Sequence, residues 1–447
     1  MQNYLEILHF ECYNYSIMSL FPRNISPILI KKLEQERIIT VTGARQTGKT
    51  TLCDSIVPQF SHLPHTYISF DDPDERLRFS QAPVMLLEKI STPLVILDEV
   101  QKAPFIFDPL KHVVDNVARK KQIRPPVFLV TGSSQLRLMP KIKETLAGRV
   151  SLLEVWPFSL SEMNGTGGIP VSLTELWEKP SRETMENFKE YSLAVTPDAK
   201  RKKVSTRDEH QKWGGYPSVI LRKEETEKIS WLKDYRKTYT ERDVSDAGDI
   251  RNIDDFALAQ KILASRAAQI LSYSEVAREL GISLNTVKRY VTLLGITFQT
   301  VTVHPYHGNI GKRYVKSPKL FFSDVGLLKA TLGNPALESG NIYENWVFTE
   351  LMKWKQLQPI EPELFFYRTA SGTEIDFILS AGDKLLPIEV KSSRRADYSD
   401  GKSIENFMNE EKNAPAGIVI YRGDEIVQIR KNIWAIPDWL IFNPGDR

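Results

Sequence analysis

The segment Gly43-Ala44-Arg45-Gln46-Thr47-Gly48-Lys49-Thr50 constrains this chain more than any other. It follows the β-branched run Ile38-Ile39-Thr40-Val41-Thr42 and precedes a helix-compatible stretch opening at Thr51-Leu52. A strand, a glycine-bounded loop, Lys-Thr and then a helix make a phosphate-binding loop. Gly43 and Gly48 let the backbone curl so that successive N–H groups point at phosphate oxygens. The N-terminus of the following helix adds partial positive charge. Lys49 can reach the β- and γ-phosphates, and the Thr50 hydroxyl can ligate Mg²⁺. Residues 43–51 are therefore the expected nucleotide contacts, with ATP and Mg²⁺ as the expected ligands.

The surrounding pattern supplies a suitable scaffold. Strand-like runs at residues 38–42, 66–70, 94–97, 127–131 and 152–155 alternate with helix-length segments such as 82–90 and 109–120. That alternation predicts a parallel sheet with helices on both faces. At 447 residues the chain is too long for one ordinary core, and about three domains are expected. With 41% hydrophobic and 26% charged residues it reads as an ordinary soluble globular protein. No apolar run reaches the ~18 residues of a membrane helix, so no membrane partner is expected. A net charge of +3 gives no global argument for nucleic acid, which must rest on local patches. Cys12 and Cys53 make no disulfide framework, which fits a reducing cytoplasm. Residues 1–17 show no clear role and lack the order of a signal peptide, and Met18 is a plausible start.

A phosphate loop needs an acidic partner for the Mg²⁺ shell. Leu94-Val95-Ile96-Leu97 reads as a buried strand ending in Asp98-Glu99. Asp98 falls where ligands bind in parallel sheets, and Glu99 beside it can polarise an attacking water. The next strand ends in Thr131-Gly132-Ser133-Ser134, where Thr131 or Ser133 could sense the γ-phosphate. Simple turn chemistry is the alternative. Arg149 could act as a finger on phosphates, in cis or on a neighbouring subunit, or make a helix-terminal salt bridge.

Two later constellations stand out. Residues 271–281 read as a helix stopped by Gly281, followed by Ser283 as N-cap and a second helix over 284–294. Val287, Val291 and Leu294 would face a core, leaving Asn285, Lys288 and Thr292 on another face with Arg289 beside it. That is a helix-turn-helix, with DNA contact and protein docking both open. Residues 306–316, with Lys312, Arg313 and Lys316, read as a basic wing. The basic run Lys200-Arg201-Lys202-Lys203 reads as a solvated face or loop.

Near the C-terminus, residues 373–380 and 385–391 flank a two-residue turn at Gly382-Asp383. The implied register sets Asp376 opposite Glu389 and Glu374 opposite Lys391. Period-2 alternation puts these four on one face and Ile375, Phe377, Ile388 and Val390 on the other. Opposed carboxylates repel, so a cation between them is the natural resolution. Upstream, Glu344 shares a helix face with Val347, Phe348 and Leu351, an odd place for a solvated acid.

Residues 43–50, Asp98-Glu99, 131–134, Ala147-Gly148-Arg149 and Pro157-Phe158 together resemble the AAA-type ATPases of bacteria and archaea that carry a C-terminal domain of unknown function. Trp213-Gly214-Gly215-Tyr216-Pro217, residues 239–243, residues 316–320 and Phe322-Ser323-Asp324-Val325-Gly326-Leu327 agree. The resemblance covers nearly the whole chain from about residue 20 and implies an ATP-binding AAA-like core. The hairpin resembles the PD-(D/E)XK nuclease fold. That resemblance implies Glu344, Asp376 and Glu389 as metal ligands and Lys391 as the residue that orients the nucleophile. An inactive relative and a plain structural hairpin are the alternatives.

The expected fold is α/β, with an N-terminal extension (1–19), a P-loop NTPase core with a parallel sheet (20–160) and a helical lid or linker (161–250). A winged helix-turn-helix (251–320) and a small α/β nuclease-like domain (321–447) follow. The expected activity is Mg²⁺-dependent ATP hydrolysis in the cytoplasm, coupled to a module acting on DNA. The alternative is an ATP-switched regulator or scaffold that binds a protein or DNA partner without cutting. Self-assembly is open, because Arg149 could act in cis or in trans.

Overall fold

The computed structural model describes residues 21–56, 64–117, 126–133, 146–165, 170–246, 252–307 and 317–442. The expected N-terminal extension and the charged tip of the basic wing (Lys312, Arg313, Lys316) lie outside them, as does Ser134. The side chains of residues 239–246 are likewise not described. The chain forms two compact units, one of Met1–Pro157 with Ile296–Phe298 and one of Phe158–Gly295 with Gln299–Arg447.

The first unit is built on a five-stranded sheet. Its strands are β1 (Ile38–Thr42), β2 (His65–Ser69), β3 (Leu94–Asp98), β4 (Val127–Thr131) and β5 (Val150–Glu154). They lie in the order β2-β3-β4-β1-β5, and every pairing is parallel. β1 and β3 are buried at every position, as central strands of a sheet covered on both faces must be. Ile38, Val95, Leu97, Phe128 and Val130 pack with Phe70, Phe79, Phe107 and Leu110 into one apolar cluster. Because β4 inserts between β1 and β3, the loop after β1, the acids ending β3 and Thr131 to Ser133 after β4 emerge from neighbouring strand tips.

Helix boundaries differ more from expectation. The helix Pro73–Gln81 carries a start signal in Asp72-Pro73, with the Asp72 side chain capping the Asp74 amide, but buries only Phe79 and so has little apolar periodicity. Of the segment expected as one helix over 109–120, the described part belongs to an α-helix over Phe107–His112 and a π-helical stretch, Val113–Val117, and residues 118–120 lie outside the described residues.

The second unit is helical at first. Lys200 to Lys203 lie in the helix Pro197–Trp213, where Lys200 pairs with Asp424 and Arg201 with Asp198. The helix Tyr273–Leu280 ends at Gly281 in the left-handed conformation. The Ser283 hydroxyl caps the Thr286 amide at the start of the next helix, Leu284–Ile296. Val287, Val291 and Leu294 are buried on that helix, while Asn285, Lys288, Arg289 and Thr292 are exposed. The helix pair is accompanied by an antiparallel three-stranded sheet of β6 (Gln269–Ile270), β7 (Thr300–Val303) and β8 (Lys319–Phe322), ordered β6-β8-β7.

A six-stranded mixed sheet completes this unit. It comprises β9 (Glu363–Arg368), β10 (Glu374–Ala381), β11 (Lys384–Lys391), β12 (Gly417–Tyr421), β13 (Val427–Arg430) and β14 (Ile433–Pro437). The β10–β11 hairpin pairs Phe377 with Ile388 and Ala381 with Lys384, the register expected from the two-residue turn. The expected faces need correction. Against β9, Ile375 pairs with Tyr367 but Ile378 with Phe365, so Asp376 and Phe377 share one position opposite Phe366. This bulge breaks the alternation. Ile375 packs with Ile378 and Phe365 on one side, whereas Phe377 joins Phe348, Ile388 and Val390 on the other.

Candidate functional site

The loop after β1 packs so tightly that residue type is dictated. Gly43 has φ +140, and a Cβ there would lie 2.3 Å from the Val155 carbonyl oxygen. Gly48 also has positive φ, at 86°. Lys49 is buried at the start of the helix Lys49–Ile56 and donates to the carbonyls of Ala44 (2.7 Å) and Gly43 (3.1 Å). Burial lowers its pKa to about 8, against the opposing pull of Glu99 and Asp98. The Arg23 guanidinium braces the loop from outside, donating to the Thr47 carbonyl at 2.7 Å and the Trp156 carbonyl at 2.6 Å.

Asp98 gathers three hydroxyls. Thr50 Oγ1 lies 3.3 and 3.4 Å from its two oxygens, Tyr67 OH donates to Oδ2 at 2.8 Å, and Thr131 Oγ1 donates to Oδ1. Glu99 follows with φ 56, a left-handed conformation that costs a non-glycine residue about 1 kcal/mol or more. Its amide donates to Thr131 Oγ1 at 3.3 Å. Gln101 Nε2 contacts the Glu99 carboxylate and, at 3.1 Å, Ser133 Oγ. Burial and then the Asp98 charge raise the Glu99 pKa above the ordinary glutamate value.

These residues suit a magnesium nucleotide: a loop whose Gly43 admits no side chain, a buried lysine, and a hydroxyl–carboxylate pair of hard oxygen donors. The loop, Lys49, Thr50, Asp98, Glu99 and Ser133 come together as the sequence suggests. Arg149 is engaged elsewhere. Its Nε donates to Asp115 Oδ1 at 2.7 Å and its Nη1 to the Ala147 carbonyl. Tyr67 and Gln101 join the site without a signal in the sequence. The sheet order, which no local pattern encodes, brings β2 beside Asp98 and the turn after β4 beside Gln101.

The acids of the second unit surround a cation that the sequence pattern does not place there. Lys319, the first residue of β8, is 2% exposed. Its Nζ lies 2.7 Å from Glu374 Oε1, 3.0 Å from Glu344 Oε1 and 3.6 Å from Asp376 Oδ1. Burial alone would lower the pKa of Lys319, but Glu344, Asp376 and Glu374 outweigh it and hold the ammonium charged. Glu389 makes its ion pair with a different lysine, its Oε1 accepting from Lys391 Nζ at 2.9 Å. Its Oε2 has no hydrogen-bond partner, and burial, together with the Asp376 charge nearby, pushes its pKa up to about 8. The expected pairing of Glu374 with Lys391 is thus replaced by Glu374 with Lys319 and Lys391 with Glu389. Among the described residues, no group of three or more His, Cys, Asp or Glu side chains is arranged to hold a metal ion. Glu344, Asp376 and Glu389 therefore do not fit the metal role implied by the nuclease resemblance.

Residues 35–164 match the family described as AAA domain, and residues 205–338 and 339–441 each match a family described as a domain of unknown function. The parallel sheet and its loop are thus an AAA-type domain, which supports nucleotide binding. An uncharacterised protein of Mycobacterium tuberculosis is 25% identical over 439 residues, covering 96% of this chain and 86% of its own. An uncharacterised protein of Methanocaldococcus jannaschii is 25% identical over 364 residues, covering 79% and 75%. Among solved structures, a Walker-type ATPase of Pyrococcus abyssi aligns with a TM-score of 0.42 at 14% identity, covering 68% of this chain and 94% of its own. The RuvB Holliday junction branch migration motor of Thermotoga maritima aligns with a TM-score of 0.29 at 15% identity, covering 62% and 88%. Among the described residues, no helix is long and apolar enough to cross a membrane.

Proposed function

We propose that this protein hydrolyses ATP with Mg²⁺ and uses the nucleotide state to control a C-terminal half that binds DNA without cutting it. One observation carries the ATPase reading. The loop with Lys49 and Thr50, the acids Asp98 and Glu99, and Ser133 emerge at adjacent tips of one parallel sheet, and Thr50 and Asp98 are in contact. Residues 43–51 would hold the phosphates, and Thr50 with Asp98 the metal. Bound Mg²⁺ neutralises charge on the phosphate oxygens. Glu99 accepts the proton of the attacking water, and Gln101 and Ser133 hold its carboxylate in place. Arg149 would reach a phosphate, in its own or a neighbouring subunit, only after leaving Asp115.

The DNA reading is supported by the exposed row Asn285, Lys288, Arg289 and Thr292 on a helix whose opposite side is buried. A protein partner is the second reading, favoured by Leu284, 40% exposed at the start of the same helix. An apolar contact there serves a protein surface better than a phosphate backbone. The Lys319 cluster speaks against metal-dependent cleavage.

The test is steady-state ATP turnover and nucleotide binding by the full chain. Lys49→Ala is expected to abolish binding. Glu99→Gln is expected to keep it and lose turnover by about 10²- to 10⁴-fold. Normal turnover in Glu99→Gln would remove the base assignment.

A further inference from the structure

Lys319 has no task in the nucleotide reading, and its surroundings are unlike those of a surface lysine. It starts β8, in the sheet beside the helix pair, yet its side chain ends among acids from the helix Gly340–Lys355 and from β10. Its ammonium also lies 5.6 Å from the centre of the Phe366 ring, the residue opposite the bulge in β10. The bulge gives Asp376 and Phe377 a single opposing residue, and Glu374 and Asp376 both approach the same ammonium. Three carboxylates converging on one buried point cannot all stay ionised without a cation there. An ammonium has three donors, and three carboxylates surround it.

We propose that the Lys319 ammonium is the permanent cation of this acidic cluster, standing where a divalent metal would otherwise bind. Removing that one side chain would turn Glu344, Glu374 and Asp376 into a site for Mn²⁺ or Mg²⁺. Hard carboxylate oxygens are the ligands both ions favour. Without Lys319, Glu374 keeps a half-exposed partner in Arg368, 3.8 Å from its Oε2, while Glu344 and Asp376 lose the cation they share. Lys391 does not take its place, because it is bound to Glu389. An ordinary two-residue salt bridge would leave a single carboxylate behind and no divalent site. The proposal does not depend on ATP chemistry, so failure of ATP turnover would leave it standing.

The test titrates nucleotide-free protein with Mn²⁺, followed by electron paramagnetic resonance and by thermal melting, in wild type, Lys319→Met and the double variant Lys319→Met/Asp376→Asn. The expected result is one more Mn²⁺ bound per chain in Lys319→Met than in wild type. Mn²⁺ should raise the melting temperature of that variant, and the double variant should lose both effects. Equal stoichiometry in wild type and soluble Lys319→Met would overturn the proposal. If Lys319→Met does not fold, wild type and Glu344→Gln carry the test. Equal Mn²⁺ uptake by the two supports the built-in cation, and an ion held by wild type but lost in Glu344→Gln overturns it.

Discussion

Gln101 shows how much of the nucleotide site depends on side chains that do no chemistry themselves. Its Nε2 contacts both the Glu99 carboxylate and Ser133 Oγ, so it links the tip of β3 to the turn after β4. Gln101→Ala is expected to lower kcat for ATP by up to about 100-fold with little change in nucleotide affinity, because it misorients the base and leaves the phosphate loop intact. Equal losses in affinity and turnover would place Gln101 in binding instead. His210 makes a second residue-level case. Its Nε2 faces the Phe158 carbonyl at 2.9 Å, and its Nδ1 accepts from Trp346 Nε1 at 2.8 Å, so only the neutral ring satisfies both. Burial, reinforced by the nearby Lys353 charge, holds its pKa well below the ordinary 6.5. Glu350 Oε1, at 3.9 Å, is the facing acid. A base with a lowered folded pKa contributes stability above the unfolded pKa and loses it as pH falls. Below about pH 6.5 the unfolded chain takes up a proton that the folded ring refuses, at up to about 1.4 kcal/mol per pH unit. Glutamine can donate to Phe158 and accept from Trp346 without titrating. His210→Gln is therefore expected to show a shallower loss of stability between pH 6.5 and 5 in denaturant melts, and identical slopes would show that His210 titrates in the folded state.

The motifs Trp213 to Pro217 and Phe322 to Leu327, whose chemistry the sequence leaves open, become intelligible as one joint between elements. Asp324 caps the helix Val325–Leu332 by accepting from the Leu327 amide at 2.9 Å, and also accepts from the Gly215 amide at 2.7 Å. A Cβ at Gly215 would meet the Phe158 carbonyl oxygen at 2.1 Å, and one at Gly326 the Trp213 carbonyl oxygen at 2.0 Å. These contacts are with backbone, which cannot swing aside. Gly215→Ala is expected to cost about 1–3 kcal/mol by chemical denaturation, with ATP affinity unchanged. Strand boundaries are legible where the signal is local. Ile38–Thr42 and Val127–Thr131 match residue for residue, because short β-branched runs bounded by turns have few alternatives. The bulge at Asp376-Phe377 is not legible, because it depends on how β9 pairs and leaves no mark in the alternation of β10. Lys319 is hidden for a related reason. A lysine in Lys-Ser-Pro-Lys reads as exposed until the fold carries it from one sheet to the acids of another.

At the scale of the whole molecule, any coupling of nucleotide state to a partner must appear as linked binding. If ATP changes the affinity for DNA by some factor, DNA must change the affinity for ATP by the same factor. Glu99→Gln, which is expected to hold ATP without turnover, allows both affinities to be measured at equilibrium. The expected coupling is between about 5- and 150-fold in either direction of measurement. Lys288→Ala/Arg289→Ala is expected to weaken duplex DNA binding and to reduce the slope of log affinity against log salt by about 2, because two phosphates would no longer be neutralised by a side chain. It should leave ATP affinity in the absence of DNA untouched. DNA affinity that is the same with ATP, with ADP and with no nucleotide would separate the two activities. An unchanged salt slope in the double variant would instead move the partner surface off this helix and favour a protein ligand.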